Sequence, residues 1–571
     1  MPVHNSEIAD IFNQMADLLE IEDANPFRVR AYRNAARVLS SQSKSIAEMI
    51  DRQEDLTELP GIGKDLAEKV GEIVRTGSLS QLRELEEKIP GQLSRLMKIA
   101  GLGPKRVKIL YEKLEITDID QLKAAAQEGR ISELRGFGEK TEQQILEETG
   151  REKKEERFKL AVAEEAANAM VAYLKKVKGV GEAIVAGSYR RRKETVADLD
   201  ILVTCQKGAE VMEYFVAHED VRKVMARGET RSTVLLRSGL QVDVRVVPEQ
   251  SYGAALHYFT GSKAHNIAVR TIGVKEGLKI NEYGIFRGNR QLGGRTEEQV
   301  YKAVHLPFID PELRENWGEI EAAQKNKLPK LITLNDLRGD LHVHTKDTDG
   351  RHSLEQMVEA SLERGYEYVA ITNHTRHVTV TRGLDAKGMR ELLRRIDDLQ
   401  RKTKGITILK SAEVDILENG SLDLPDHVLK ELDLRVCAVH YKFNLSREKQ
   451  TERIIRAMDN RHFNILAHPS GRLINERRPY EIDMERLMKA AHERGCFFEL
   501  NAHPDRLDLD DIHCKMAKDM GVRVAISTDA HSINDLDFMR FGIGQARRGW
   551  LEPENVLNSR NSKELLKLLK K

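Results

Sequence analysis

Gly187-Ser188-Tyr189-Arg190-Arg191-Arg192, followed after five residues by Asp198-Leu199-Asp200, is the stretch on which the reading of this 571-residue chain turns. Residues two apart on a strand face the same side, so Asp198 and Asp200 project together. A later strand-like run of matching polarity, Val242-Asp243-Val244-Arg245-Val246-Val247, offers a third carboxylate in Asp243. Three like charges brought together repel strongly without cations, and oxygen ligands select hard divalent ions such as Mg²⁺. Two such ions ~3.5–4 Å apart would activate a 3′-hydroxyl and stabilise a departing pyrophosphate. Ser188 at the turn opened by Gly187, with Arg191, would hold a triphosphate tail through backbone, hydroxyl and bidentate contacts. A D-x-D pair alone is a common exposed strand edge. The glycine-serine turn at fixed distance and the V-D-V strand speak against that bland reading.

Upstream, the first 150 residues read as helical, with apolar residues at three- and four-residue spacing in Ile8, Ile11, Met15, Leu18 and Leu19. Three glycine-centred turns interrupt them: Leu59-Pro60-Gly61-Ile62-Gly63-Lys64, Ala100-Gly101-Leu102-Gly103-Pro104-Lys105 and Leu134-Arg135-Gly136-Phe137-Gly138-Glu139-Lys140. A G-x-G turn opening a helix leaves backbone N–H groups free to hold a phosphate without reading a base. A single copy reads equally well as helix packing. Three copies, with Lys64, Lys105 and Lys140 at or just after the second glycine, shift the balance to DNA-backbone binding.

Downstream, residues 311–335 hold two prolines and many charges with little periodicity, which suits a linker. After Arg338 short apolar strands alternate with helices, and repeated β-then-α over this length points to a barrel-like parallel sheet. Of 18 histidines thirteen follow Asp336, where length alone would place about seven, and histidine is the commonest side-chain metal ligand. In Asp340-Leu341-His342-Val343-His344 two histidines share one side of a strand end. Asp349, His374, Glu413, His440, His468, Asp529 and His531 nearly all follow apolar strands as well, which packing alone does not explain. Mixed nitrogen and oxygen ligation favours Mn²⁺, Zn²⁺ or Fe²⁺ over Mg²⁺. Arg376 and Arg472 are candidate phosphate contacts. His352, His377, His462, His492, His503 and His513 read as surface or supporting residues.

The bulk numbers bound rather than decide. At this length three or more domains are expected. No apolar run approaches the ~18 residues needed to cross a bilayer, and the first residues lack a secretory pattern. Four scattered cysteines without a C-x-x-C pair fit a reducing, cytoplasmic setting. Formal net charge is only +1, so any phosphate-binding surface is local.

On the G-S-x-R-R…D-x-D segment, Asp243 and the unbroken Tyr258-Phe259-Thr260-Gly261-Ser262, the chain resembles the family X DNA polymerases, the group containing DNA polymerase beta, over about 315 residues. The resemblance implies triphosphate contacts at Ser188 and Arg191 and catalytic metal ligands, for Mg²⁺ or Mn²⁺, at Asp198, Asp200 and Asp243. It implies a sugar pocket shaped by Tyr258 and Phe259, with backbone near Gly261 crowding a ribose 2′-hydroxyl. Asn266 and Arg270 match residues on the minor-groove side of the nascent pair, and Asn281-Glu282-Tyr283 also matches. The glycine turns resemble helix-hairpin-helix motifs, implying DNA contacts at Gly61, Gly63, Lys64, Gly101, Gly103, Lys105, Gly136 and Gly138. The N-terminal domain resembles the small lyase domain of the family, with Lys69 at the Schiff-base position. Asp65 and Arg28 stand where the family carries supporting lysines, and Asp65 would keep Lys69 protonated.

The last 235 or so residues resemble the PHP (polymerase and histidinol phosphatase) domain, a distorted β/α barrel holding up to three metals. That resemblance implies one metal on His342, His344, Glu413 and Asp529, a second on Glu413, His440 and His468, and a third on Asp349, His374 and His531, these being Mn²⁺, Zn²⁺ or Fe²⁺. The fold class expected is multidomain α+β and α/β. Its parts are a helical lyase-like domain (1–85), a helix-hairpin-helix domain (86–150), a nucleotidyltransferase palm with a mixed sheet (151–250), a nascent-base-pair subdomain (251–315), a linker (316–335) and the PHP barrel (336–571). The function implied is a monomeric gap-filling repair polymerase acting on gapped or primer-template DNA, its 5′-phosphate side included, and on dNTPs. It carries a 3′–5′ exonuclease, often with cleavage at abasic sites, and involves no membrane. Two alternatives stand beside it: a polymerase whose barrel is a small-molecule phosphatase, and a non-catalytic DNA-end scaffold.

Overall fold

A computed structural model describes residues 5–570 apart from 41, 43–45, 91–92, 98, 100–101, 135, 139–140, 144, 147–156 and 379–380. Gly101 and Lys140 of the expected turns therefore lie outside the described residues. The chain forms two compact units, Met1–Glu156 and Arg157–Lys571.

The first unit is helical. The helices Asn5–Ile21 and Pro26–Ser40 pair through the apolar stripe read from the sequence, with Ile8, Phe12, Met15 and Leu18 buried and Phe12 set edge-on against Tyr32 at 5.3 Å. Burial of one such side chain stabilises by about 1.5–3 kcal/mol, so the stripe outweighs the weak propensity of the polar face.

The second unit opens on a five-stranded sheet in the order Ala183–Val185, Asp198–Thr204, Gln241–Val247, Arg231–Leu236 and Val221–Arg227. The Asp198–Thr204 and Gln241–Val247 strands are parallel neighbours, with Asp198 opposite Gln241 and Asp200 opposite Asp243. Alternation divides the residues between faces: Leu199, Ile201, Val203, Val242 and Val244 pack with Met170 and Phe215 from the helices Leu160–Leu174 and Gly208–Val216. The carboxylates are left on the other face. The helices Tyr252–Thr260 and Lys263–Lys275 and a three-stranded antiparallel sheet, Lys279–Asn281, Gly284–Arg287 and Arg290–Gly293, follow.

The segment expected as a linker, 316–335, is instead partly built into the unit. It contains the helix Glu319–Gln324, and Glu319, Ile320, Ala323, Leu331 and Ile332 are buried. The burial of its charge is not legible locally because one partner is distant in sequence: Glu319 accepts from His265 Nδ1 at 2.7 Å as well as from the Asn316 and Trp317 backbone, and the neighbouring Arg314 meets Glu297 at 2.6 Å.

The C-terminal part is a seven-stranded all-parallel sheet in chain order: Gly339–Val343, Tyr368–Ile371, Thr407–Asp415, Leu434–Ala438, Ile465–Leu466, Phe497–Asn501 and Val524–Ser527. A parallel bridge between Val343 and Ala530 brings the last strand back to the first. Buried on both faces, most of these strands are short and largely apolar, while Gly339–Val343 and the nine-residue Thr407–Asp415 carry polar residues as well. Their C-terminal ends gather the polar residues, as in parallel barrels generally.

Two candidate active sites and a candidate nucleic-acid surface

The G-S turn folds directly over the carboxylate strand. Gly187 has φ +63°, and a Cβ there would lie 3.0 Å from Asp200 Oδ2, so glycine is required twice over. Burial first, then the charges of Asp198 and Asp243, push the Asp200 carboxyl up to about 6. Asp198 is raised by burial and by Asp243. The three aspartates thus act on one another, as the strand register requires. Asp243 is buried, its Oδ1 accepting from Thr233 at 2.6 Å and Arg231 at 3.1 Å and its Oδ2 from Gln241 at 2.8 Å. Arg245, two residues on and on the same face, stacks 4.4 Å over Phe259 and counters the charge on Asp200. Alternation with Asp243 was its only signal in the sequence.

The turn is braced against the Tyr252–Thr260 helix. Arg190 donates to Thr260 Oγ1 at 2.7 Å and to Glu297, while Arg191 donates from Nη1 to the Thr260 carbonyl at 2.5 Å and from Nε to Glu315 at 3.0 Å. Gly261 sits at φ +69°, a conformation that favours glycine, and a Cβ there would press on Arg191 Nη1 at 3.2 Å. Tyr258 and Phe259 are half-buried, with rings edge-on at 5.1 Å. Buried Asn266 donates to the Tyr258 carbonyl at 2.7 Å, and Arg270 reaches the Asn266 carbonyl at 3.4 Å. Ser188 is half-buried on the short helix Gly187–Arg190. Of these residues, Gly187 lies against Asp200, and Phe259 lies against Arg245 on the carboxylate face.

In the barrel, Glu413 stands at the centre. It lies 3.5 Å from His342, 2.8 Å from His374, 3.1 Å from His440 and 3.0 Å from His468. Asp529 Oδ1 is 3.1 Å from His344 and 3.5 Å from His342, and Asp349 is 3.3 Å from His374 and 3.2 Å from His531. Three groups bring ligand atoms within 4.8 Å of one another: His344, Asp349, His374 and His531; His342, His344 and Asp529; and His374, Glu413 and His440. The grouping differs from the sets expected: His344 and His374 each belong to two groups, Glu413 joins His374 and His440 rather than His342, His344 and Asp529, and His468 belongs to none of the three although it lies 3.0 Å from Glu413. All nine residues meet in one place.

The donor set fits divalent cations. Buried nitrogen and oxygen atoms that hydrogen bonding leaves unpaired include His342 Nε2, both nitrogens of His344, His374 Nδ1, Glu413 Oε2 and His468 Nδ1. Unpaired buried polar atoms are costly, and their convergence on one cavity is what cation ligation resolves. Two supporting acids escaped the sequence reading. Glu499, fully buried on the Phe497–Asn501 strand, bonds His342 Nδ1 at 2.7 Å, and Asp415 bonds His440 Nδ1 at 3.0 Å. Such partners fix the ring and its tautomer. Arg472, read as a phosphate contact, is engaged otherwise: it grips Glu194 at 2.6 Å and the carbonyls of Arg506 and Leu507. Arg376 is exposed, and His462, expected on the surface, is buried beside Arg435.

In the N-terminal unit, Gly63 and Gly103 cap the helices Lys64–Thr76 and Pro104–Leu114. Neither has positive φ, and a Cβ at either, or at Gly138, would meet nothing within 4 Å. Among the described residues of the unit nothing demands glycine at 63 or 103. Gly61 and Gly136, at φ +79° and +95°, are demanded by the turn itself. Lys64 and Lys105 begin the helices and are exposed. Lys69 is bonded to Asp65 at 2.5 Å; burial opposes its charge, but Asp65 and Tyr32 outweigh it and raise its pKa.

Among the described residues no helix is long and apolar enough to cross a membrane. Family profiles match four stretches: Helix-hairpin-helix domain over 3–79, SAM-like Helix-hairpin-helix tandem over 93–151, DNA polymerase beta palm over 161–257 and DNA polymerase beta thumb over 255–315. The chain is 29% identical over 233 residues to a probable phosphatase of Thermoanaerobacter sp. (strain X514), covering 38% of this chain and 89% of that one. It is 27% identical over 353 residues to DNA polymerase lambda of Arabidopsis thaliana, covering 55% and 62%. With the DNA polymerase/3'-5' exonuclease PolX of Bacillus subtilis (strain 168) it shares 37% identity over 574 aligned residues, the whole of both chains. That full-length identity, on a polymerase-beta palm and thumb joined to a histidine-lined barrel, makes the chain a member of the family X DNA polymerases of the PolX type, with a C-terminal PHP domain.

Proposed function

We propose that this protein is a template-directed DNA polymerase that fills gaps during repair, and that its barrel hydrolyses phosphodiesters at 3′ ends and at abasic sites. The observation that carries the polymerase reading is the register of Asp200 against Asp243 beneath the Gly187 turn, with the Asp200 carboxyl pushed to about 6 by burial and then by the charges of Asp198 and Asp243. Asp198, Asp200 and Asp243 would hold a pair of Mg²⁺ or Mn²⁺ ions. When bound, these supply Lewis acidity and neutralise charge that develops in phosphoryl transfer. Ser188 and Arg191 take the triphosphate, Tyr258, Phe259 and Gly261 bound the sugar, and Asn266 and Arg270 face the minor-groove side of the new pair. In the barrel, His342, His344, Asp349, His374, Glu413, His440, His468, Asp529 and His531 would hold up to three Mn²⁺, Zn²⁺ or Fe²⁺ ions, with Glu499 and Asp415 orienting two of the rings.

The protein works as a cytoplasmic monomer on dNTPs and on gapped or primer-template DNA. The glycine turns at 61–63, 101–103 and 136–138, with Lys64 and Lys105, track the DNA backbone. Glycine at 63 and 103, where the fold itself leaves space for a side chain, supports an approach from outside. Lys69 contributes charge near a 5′-phosphate rather than a Schiff base, because its bond to Asp65 disfavours the neutral amine.

A second reading of the barrel, a small-molecule phosphatase, is favoured by the phosphatase relative, whose aligned length matches the barrel's. One experiment tests both. Full-length protein is given a gapped duplex, a 3′-recessed duplex and p-nitrophenyl phosphate, with Mg²⁺ and Mn²⁺ compared. Gap filling and 3′ degradation with a slow monoester reaction are expected. Absent gap filling sinks the polymerase, and a fast monoester reaction with intact 3′ ends hands the barrel to the second reading.

A further inference from the structure

Arg548 ends the barrel's outer helix Met539–Arg548, yet its side chain is only 3% exposed. Its Nη1 donates to the main-chain carbonyl of Arg191 at 2.9 Å and to Glu315 Oε1 at 3.0 Å, and its Nη2 donates to Asp511 at 2.5 Å. Glu315 in turn accepts from Arg191 Nε at 3.0 Å. Arg191 is therefore pinned at its carbonyl, at Nε and, through Thr260, at Nη1, while its Nη2 has no hydrogen-bond partner among the described residues. Burial opposes the Glu315 charge, but Arg548 and Arg191 hold that carboxyl down to about 2, so the relay stays ionised across neutral pH.

The contact is broad. Arg192 and the barrel's Arg540 share Glu164, at 3.0 and 2.9 Å. Arg472 grips Glu194, next to Lys193. A Cβ at Gly544 would lie 3.2 Å from the Arg192 Cβ, so the helix and the turn pack nearly backbone to side chain. Arg547, beside Arg548, holds Asp310 at 3.0 Å and Glu312 at 2.9 Å at the end of the thumb. The barrel thus grips the C-terminal half of the nucleotide turn residue by residue.

We propose that Arg548, acting through Glu315 and the Arg191 carbonyl, is a positioning residue for nucleotide binding, so that a residue of the hydrolytic barrel sets the affinity of the polymerase site for the incoming triphosphate. The inference rests on the polymerase reading given above. A long guanidinium arm free to rotate loses rotamer freedom when it binds a phosphate, whereas one already fixed at three points does not. Fixing Nε and Nη1 also leaves Nη2 as the donor for an oxygen of the triphosphate tail.

The test is single-nucleotide insertion by full-length R548K and E315Q on a primer-template with Mg²⁺. Lysine keeps the charge of Arg548 but cannot bond Arg191, Glu315 and Asp511 at once. The KM for the correct dNTP should rise about tenfold in both variants, with kcat and primer-template affinity changed by less than about twofold. An unchanged KM, or a fall in kcat alone, overturns the proposal. Should R548K melt early and lose 3′ hydrolysis as well, E315Q decides, since it replaces one oxygen by an isosteric amide. Wild-type protein that extends no primer sinks the polymerase reading itself; wild-type extension with both variants at the wild-type KM sinks only the role of Arg548.

Discussion

The carboxylate site and the histidine site solve one electrostatic problem in opposite ways. At the first, three acids face one another with Arg231 and Arg245 as the nearby counter-charges, and burial followed by the charges of Asp198 and Asp243 raises the Asp200 carboxyl to about 6. At the second, acids and imidazoles alternate around Glu413, and each neutralises the other. Burial opposes every charge there, yet Glu413 and Asp529 are held well below the usual carboxylate range, and His374 rises to about 10 and His440 and His531 to about 9. Burial holds His344 down to about 3 and lowers His468, whereas protons on His342, His374, His440 and His531 serve as the barrel's own cations. A divalent ion entering the barrel must displace them, whereas one entering the palm competes with protons only towards acid pH.

The sharpest way to break the comparison is to remove one site and watch the other. Asp198→Asn or Asp243→Asn should cut primer extension by more than ~10³-fold, since metal-assisted charge stabilisation supplies several kcal/mol of the barrier reduction. Hydrolysis of a 3′ end should continue at the wild-type rate; a parallel loss would mean that the two sites are one machine. His344→Ala or Asp529→Asn should lower 3′ hydrolysis by ~10²–10³-fold and reduce bound metal, read by elemental analysis, while extension persists.

A milder change separates ligand from support. Glu499→Gln keeps a hydrogen-bonding group on His342 but removes the charge, and should weaken metal binding by ~10–100-fold without abolishing it. Metal titration of the stripped protein measures this, and unchanged affinity would remove Glu499 from the site. The smallest effect is on stability. The Asp200 carboxyl is about 6 in the folded protein against an ordinary value of 3.8, so the native state holds that proton more tightly than the unfolded chain does. Its contribution is therefore fully present below about 3.8 and is lost as pH rises through about 6, a loss of up to ~3 kcal/mol at ~1.4 kcal/mol per unit. Asp200→Asn should be more stable than wild type in chelator above pH 6, and Mg²⁺ should narrow the gap. Parallel melting curves with and without Mg²⁺ would contradict the assignment.

Much of this architecture was open to a reader of the sequence because its signals are local. Period-two alternation put Asp198 and Asp200 on one face, and a matching strand supplied Asp243. Apolar runs ending in histidine or acid marked the mouth of a parallel barrel, and G-x-G turns marked helix starts. Each of these depends on residues within a few positions of one another. What tertiary structure alone decided is the pairing of charges. Glu499 reads like any strand acid until His342, 157 positions away, comes to bond it at 2.7 Å. Segment 316–335 reads as a solvated linker and Arg472 as a phosphate contact. A charged side chain looks the same in sequence whether water or a buried partner satisfies it, and only the fold brings that partner within bonding distance.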